Sequence, residues 1–287
     1  MTDKKTNEIQ YDTKFFDKIE SDCKVDLDKP VQHPPVAISI GNYQLGKDTY
    51  PIPIGTYGNF SFIQAPPKTK KTFFVSLLSS VYLNDTINFG GELRGHREGR
   101  ALVHFDTEQG HFHAHRVFKR PLEISNKCDI SKYHTFALRK YSYKERLAFI
   151  EHYLYNKVDN VGLVIIDGIA DLCGDVNDIE QANIVVQHLM RWTEELKCHI
   201  ITVIHSNFGT DKPTGHLGSF LEKKTETQIQ LEANTKNNGW VTVSCKRSRG
   251  FSFETFSFEV NKYGLPQVLD SPYDLLNEGT YTKRQQQ

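Results

Sequence analysis

The chain has 287 residues, 38% of them apolar and 24% charged, with Lys+Arg and Asp+Glu balanced at 35 each. This composition fits a folded domain with an ample core, and the zero net charge excludes a global field that would draw the chain to nucleic acid. Five scattered cysteines without a C-x-x-C pair fit a reducing compartment, no apolar run approaches membrane-spanning length, and the polar start is unlike a secretory signal. A cytoplasmic protein without membrane contact is expected.

Residues 1–35 mix both charge signs and end in "DKPVQHPP", which reads as a flexible N-terminal arm carrying Phe15 and Phe16 as a docking patch. From Val36 short apolar runs alternate with helical patterns, the signature of a mainly parallel sheet covered by helices. "NFSFIQ" (59–64) is a strand, and "TFFVSLLSSVYL" (72–83) has the length and spacing of a buried helix. "RALVHFD" (100–106) is a second strand. A helix over 144–157 puts Leu147, Ile150 and Leu154 on one face and feeds "VGLVIIDG" (161–168), the most apolar strand of the chain. Asn177 or Asp178 caps the next helix, which runs to about Lys197. "HIITVIH" (199–205) is the fourth strand. The loop "SNFGTDKPTGHLGS" (206–219) is long, polar and Gly-containing, and is expected to be mobile. Three β-rich runs, 226–232, 240–246 and 251–260, then read as an antiparallel extension of the sheet, and 271–287 as a C-terminal tail.

In an open parallel sheet, ligands bind beyond the carboxyl ends of the strands. Four such ends carry distinctive groups here: the loop "APPKTKKT", Asp106-Thr107-Glu108, Asp167 and His205. A loop entering a helix can hold a polyphosphate on free N–H groups. In that loop, Pro67, Lys68, Thr69, Lys70, Lys71, Thr72 and Phe73 are the candidate nucleotide contacts. Lys71 suits neutralisation of the terminal phosphates, while Thr72 and Asp167 suit Mg²⁺. Glu108 suits activation of a water, and His205 suits sensing the terminal phosphate. Together these groups describe a nucleoside triphosphatase using ATP and Mg²⁺.

The ordered set "APPKTKKT", "VHFDTEQ", "LVIIDGIADL", "IITVIHSNFGTDKPTGHLGS" and "CKRSRG" resembles the RecA-like branch of P-loop ATPases. Within that branch it is similar to the plasmid RepA-like helicase family, the AAA_25 type. The resemblance spans about 55–260 and implies an α/β RecA-like P-loop NTPase fold, a mainly parallel sheet flanked by helices with a C-terminal antiparallel β extension. The ATPase domain would occupy 36–270. It further implies that Glu108 activates water and that Lys246 and Arg249 act in trans on a neighbour's nucleotide. The implied assembly is a homo-oligomer, a hexameric ring or a filament. Its implied partner is single-stranded DNA, contacted by Lys212 and His216. A helicase or loader role in replication or transfer of a plasmid or mobile element would follow.

The phosphate loop departs from the family pattern. Ala65 and Lys70 stand where G-x-x-x-x-G-K-[ST] has glycines, and Pro66 and Pro67 remove two N–H donors. Hydrolysis is therefore the open point. A nucleotide-binding regulatory or scaffold protein that does not turn ATP over is the alternative, and a small-molecule phosphotransferase is a third reading. Ordinary readings also stand: a solvated lysine turn, helix-capping acids and a structural histidine. "KRSRG" fits fingers, contacts to a DNA backbone or a basic hairpin turn. The histidines of "GHFHAHR", His111, His113 and His115, suit zinc only with further ligands. The aromatic residues are scattered along the sequence and do not suggest a stacking platform.

Overall fold

A computed structural model describes residues 12–85, 93–125, 128–207, 210–234 and 239–269. The chain divides into two units, 1–33 and 34–287. In the first, helix α1 (Thr13–Cys23) is capped by the Asp12 carboxylate, which accepts from the Phe15 N–H at 2.9 Å. Residues 271–287, read above as a tail, lie outside the described residues.

The second unit begins with β1 (Val36–Leu45) and β2 (Asp48–Thr56), an antiparallel hairpin. Expecting the parallel pattern from Val36 onward is therefore wrong for the first twenty residues. Pro51 and Pro53 cannot donate to a ladder, so β2 stays at the edge of a small three-stranded sheet in the order β2-β1-β4, where β4 is Leu93–Gly95. β3 (Phe60–Ala65) then enters a nine-stranded sheet, and α2 (Lys71–Asn84) follows it. Nearly every residue of α2 is buried, since the helix lies between the two sheets, and its Ser76 and Ser79 hydroxyls donate to carbonyls one turn back. Gly95 permits the close approach of β4, because a Cβ there would stand 2.4 Å from the Val81 carbonyl oxygen.

β5 (Ala101–Asp106), α3 (His111–Ile124), β6 (Tyr133–Ala137), α4 (Tyr143–Asn156), β7 (Val161–Asp167), α5 (Ile179–Leu196) and β8 (His199–His205) complete the parallel part. α4 opens with a reciprocal Ser142–Glu145 capping box, and α5 with Asp178 accepting from two backbone N–H groups. α6 (Gly215–Lys224) leads to β9 (Thr227–Ala233), β10 (Val241–Ser248), β11 (Phe256–Val260) and β12 (Pro266–Val268). The sheet order is β12-β11-β10-β9-β3-β8-β7-β5-β6. β9 pairs parallel to β3, so the antiparallel extension begins at β9/β10 and not at β9 itself. Only the second half of the run 251–260 is strand.

Side chains alternate across this sheet. Leu163, Ile165, Ile201 and Val203 pack towards α2, while Val164, Ile166, Ile200 and Ile204 pack towards α5 and α6. Both faces are thus covered, which is why β7 reads as a continuous apolar run.

The loop expected to be mobile is a folded connection where it is described. Asn207 N donates to Lys212 O, and the Thr214 N–H and hydroxyl both donate to His205 O. Helix α6 starts at Gly215, whose φ of +69° brings it within a Cβ's reach of the Val176 carbonyl, so His216 lies in a helix. The sequence has a Gly pair there, and the contact with Val176 that favours the helix is not local.

Candidate nucleotide site

The phosphate-loop candidate joins β3 to α2 at the carboxyl end of the sheet. Lys68 and Lys70 both hold left-handed backbone, with φ of +65° and +58°. These lysines take the conformation that glycine takes without strain. The alternation of left-handed residues turns successive N–H groups the same way, as in an anion-binding nest. The N–H groups of Thr69, Lys70, Lys71 and Thr72 meet no acceptor among the described residues. The Lys70 ammonium is held on the Gly239 carbonyl of the turn before β10. Thr69 Oγ1 and Lys71 Nζ both donate to Pro66 O, at 2.7 and 3.0 Å, and pin the loop from within. Pro67 lies between these anchors, and the Phe73 ring carries the Arg120 guanidinium 3.9 Å from its centre.

Lys71 is buried, and that burial pushes its pKa down, while Glu108 and Asp167 oppose the shift. Its Nζ lies 2.9 Å from Nδ1 of His205, the strand-end neighbour of Ala65. An ammonium can only donate, so Nδ1 accepts and the His205 proton resides on Nε2. Nε2 faces Glu108 Oε1 at 3.5 Å. The hydrogen bond from His205 is the main cause that lowers the Glu108 pKa; burial opposes it and the Lys71 charge adds to it. A line from Lys71 through His205 to Glu108 thus ties three of the strand-end groups together and keeps Glu108 ionised.

Asp167 and Asp106 are register partners at the ends of β7 and β5. Asp106 Oδ1 accepts from the N–H groups of Glu108 and Gln109, but Oδ2 of Asp106 and Oδ2 of Asp167 have no partner among the described residues. Burial, reinforced by Asp106 and Glu108, pushes the Asp167 carboxyl up to about 8. Two adjacent buried carboxylates with an orphaned oxygen each are incomplete by themselves, a donor set whose chemistry fits a divalent cation. Thr72, at the start of α2, has the hydroxyl expected of a second magnesium ligand. The sequence reading gave Asp106 no part in holding magnesium, because its pairing with Asp167 is a matter of cross-strand register. Gly168, at φ +103°, lets Thr107 close over the turn. A Cβ at Gly168 would meet Thr107 Oγ1 at 2.2 Å, and that oxygen lies 2.8 Å from Gly168 O and 2.9 Å from Asp171 Oδ2.

Other expected residues stand apart from this cluster. Lys246, on a β10 irregularity, reaches the Asp211 carbonyl, which also accepts from Gln64 at 2.5 Å. Arg249 donates to Lys224 O at 2.6 Å, and its own N–H binds Glu226 O, beside Phe60 at the opposite end of β3. The two are therefore not one cluster within a chain. Lys212 and His216 are exposed, in the connection before α6 and in its first turn. α3 starts at His111, so His111 and His115 stand one turn apart with His113 displaced around the helix. Among the described residues no group of three His, Cys, Asp or Glu is arranged to hold a metal.

Residues 55–211 match the model of the AAA_25 family, an AAA domain. The chain belongs to this family. No curated protein matches the chain. Among solved structures, the fold is similar to a KaiC-like protein from the hyperthermophilic archaeon Pyrococcus horikoshii OT3. That match has a TM-score of 0.52 and 16% identity, and covers 75% of this chain and 90% of that one. It is likewise similar to the RadB recombinase, with a TM-score of 0.52 and 15% identity over 74% of this chain and 91% of that one. At such identity the likeness speaks for fold: the AAA_25 chain has the RecA-like P-loop ATPase architecture.

Proposed function

We propose that this AAA_25 chain binds MgATP at the β3–α2 loop, hydrolyses it, and acts on DNA as a helicase or loader in the replication or transfer of a plasmid or mobile element. The observation that carries the reading is the buried Lys71, linked through His205 to an ionised Glu108, beside a loop whose N–H groups are free to hold phosphate. Similarity to a recombinase in fold supports DNA as the partner. Lys71 would bind the terminal phosphates, and Thr72 and Asp167 would hold the metal. Magnesium, when bound, supplies neutralisation of phosphate charge. Glu108 would orient the attacking water and take its proton, and His205 would hold Glu108 in register with Lys71. Lys246 would serve a neighbouring copy's nucleotide in a ring or filament, so turnover would depend on assembly.

Binding and turnover of ATP by the wild type, Lys71→Ala and Glu108→Gln, with and without single-stranded DNA, test this reading. Lys71→Ala is expected to weaken ATP binding about 100-fold, the scale of losing a buried charge partner. Glu108→Gln is expected to keep binding and lose turnover. Wild type and Glu108→Gln both binding ATP with the same negligible turnover would instead select the scaffold reading, which the strained, glycine-free loop favours.

A further inference from the structure

The helix that opens on the phosphate loop starts without the local support that other helices of this chain have. α4 and α5 begin on side-chain caps, whereas α2 begins on Lys70 in left-handed backbone, with no side-chain cap and no acid in its first turn. The turn that holds Lys71 and Thr72 is therefore fixed from elsewhere, and the group that reaches it is Arg120 of α3.

A single guanidinium spans that whole first turn. Arg120 Nη1 donates to Ser76 Oγ at 3.0 Å and to Thr72 O at 3.4 Å. Ser76 Oγ in turn donates to Thr72 O at 2.8 Å, which closes a small network around the Thr72 carbonyl. The guanidinium carbon also lies 3.9 Å from the centre of the Phe73 ring, so a planar fork both stacks and bonds. Phe73 packs on the core behind it. Burial and the Arg116 charge push the Arg120 pKa down, and Glu123 opposes them. The protein alone thus disfavours a cation here, and a polyphosphate at the α2 N-terminus would bring a charge of the favourable sign. α3 begins at His111, three residues after Glu108, so one helix carries the water-activating carboxylate at its start and the Thr72 clamp further along.

We infer that Arg120 is a positioning residue of the nucleotide site: from α3 it fixes the first turn of α2 where the Thr72 hydroxyl meets magnesium and the N–H groups meet phosphate. The inference rests on the proposed binding of MgATP at the β3–α2 loop and not on hydrolysis. An arginine that only packs two helices together would lower stability and weaken ATP equally with and without metal. An arginine that places Thr72 affects the metal-bound nucleotide more.

The test is calorimetric titration of ATP into the full chain, in magnesium and in chelator, for the wild type, Arg120→Met and Arg120→Lys. Arg120→Met is expected to weaken MgATP about tenfold, the scale of one hydrogen bond to a charged group, and metal-free ATP by no more than about threefold. Arg120→Lys keeps the charge and one donor without the fork, and is expected to lose about threefold with magnesium and nothing in chelator. In a Thr72→Ala background the two sites should be coupled, so that Arg120→Met costs no more than about threefold with magnesium present. Affinity for MgATP within about twofold of wild type in Arg120→Met would overturn the inference. Equal losses in magnesium and in chelator, or full additivity with Thr72→Ala, would also overturn it and leave Arg120 a packing residue. Should Arg120→Met fail to fold, Arg120→Lys decides by the presence or absence of its magnesium-dependent loss. Binding of ATP without turnover would uphold the inference and remove hydrolysis from the proposed function, whereas a wild type that binds no ATP would overturn both.

Discussion

Two carboxylates with little exposure stand at opposite ends of the same parallel sheet and are treated in opposite ways. At the amino end, Glu226 accepts from the Thr56 N–H at 2.8 Å and the Thr56 hydroxyl at 2.6 Å, and lies 3.9 Å from His199. At the carboxyl end, Asp167 has an oxygen with no donor among the described residues and two acidic neighbours that oppose its ionisation. A satisfied buried carboxylate fastens structure, here the small sheet to the large one. An unsatisfied one is a cost to the fold that persists where something outside the chain offsets it. The contrast locates the ligand end without reference to any motif.

The largest expected effect lies at the satisfied end. Glu226→Ala would strand two donors of Thr56, at a cost of about 1–3 kcal/mol, which lowers Tm by several degrees for a domain of this size. Thermal unfolding should register that loss while ATP affinity stays at the wild-type value. An equal loss of ATP affinity would break the division into a structural and a ligand end.

Asp167→Asn should act in the opposite direction. A carboxyl whose folded pKa is raised to about 8 is disfavoured in its ionised form by the fold, so the penalty is absent below the unfolded-state value. It grows as pH rises towards 8 and is complete above it. Asn carries no such penalty. In chelator, Asp167→Asn should therefore unfold at a higher temperature than wild type at pH 8–9, by about 2–4 °C for each kcal/mol recovered. The gap should close towards pH 4. With magnesium and ATP the order should reverse, since only the wild type keeps the carboxylate for the cation. A variant that unfolds earlier than wild type at pH 8–9 in chelator would show that Asp167 has a protein partner.

The strands that carry the site were legible because each is a run of apolar residues ending on a charged or polar group. β8 begins and ends at the residues the sequence marks, β7 ends at Asp167 as marked, and α5 is capped at Asp178. What was not legible depends on partners remote in sequence. Asp106 looked like an ordinary polar strand end until the register set it beside Asp167. β1 and β2 are broken by Gly41, Pro51 and Pro53 and find stability by packing on α2, so no local periodicity announces them. β6, "YHTFA", is a half-buried edge strand with too few apolar residues to stand out. The helix at Gly215 depends on Val176, and the stacking of Tyr43 on Phe251 joins the β1–β2 hairpin to the segment before β11. The proline pair and lysines of the phosphate loop pointed to a lost cradle because a sequence shows residue type and not φ.

The smallest expected effect is the one that decides what Lys70 does. Its left-handed backbone costs an L-residue about 1–2 kcal/mol, which Lys70→Gly would recover. Against this, glycine loses more freedom on folding, by roughly 0.5–1 kcal/mol, and the bond from the ammonium to the Gly239 carbonyl, worth about 1 kcal/mol, disappears. The terms nearly cancel, so Tm should move by no more than about 2 °C. ATP affinity discriminates better than stability does. The ammonium is held on Gly239 and the nest of N–H groups is already formed, so Lys70→Gly should bind ATP within about threefold of wild type, under 1 kcal/mol. A tenfold fall would show instead that the Lys70 charge leaves Gly239 for the phosphates. The ligand end of the sheet would then replace the missing glycines with charge as well as with backbone shape.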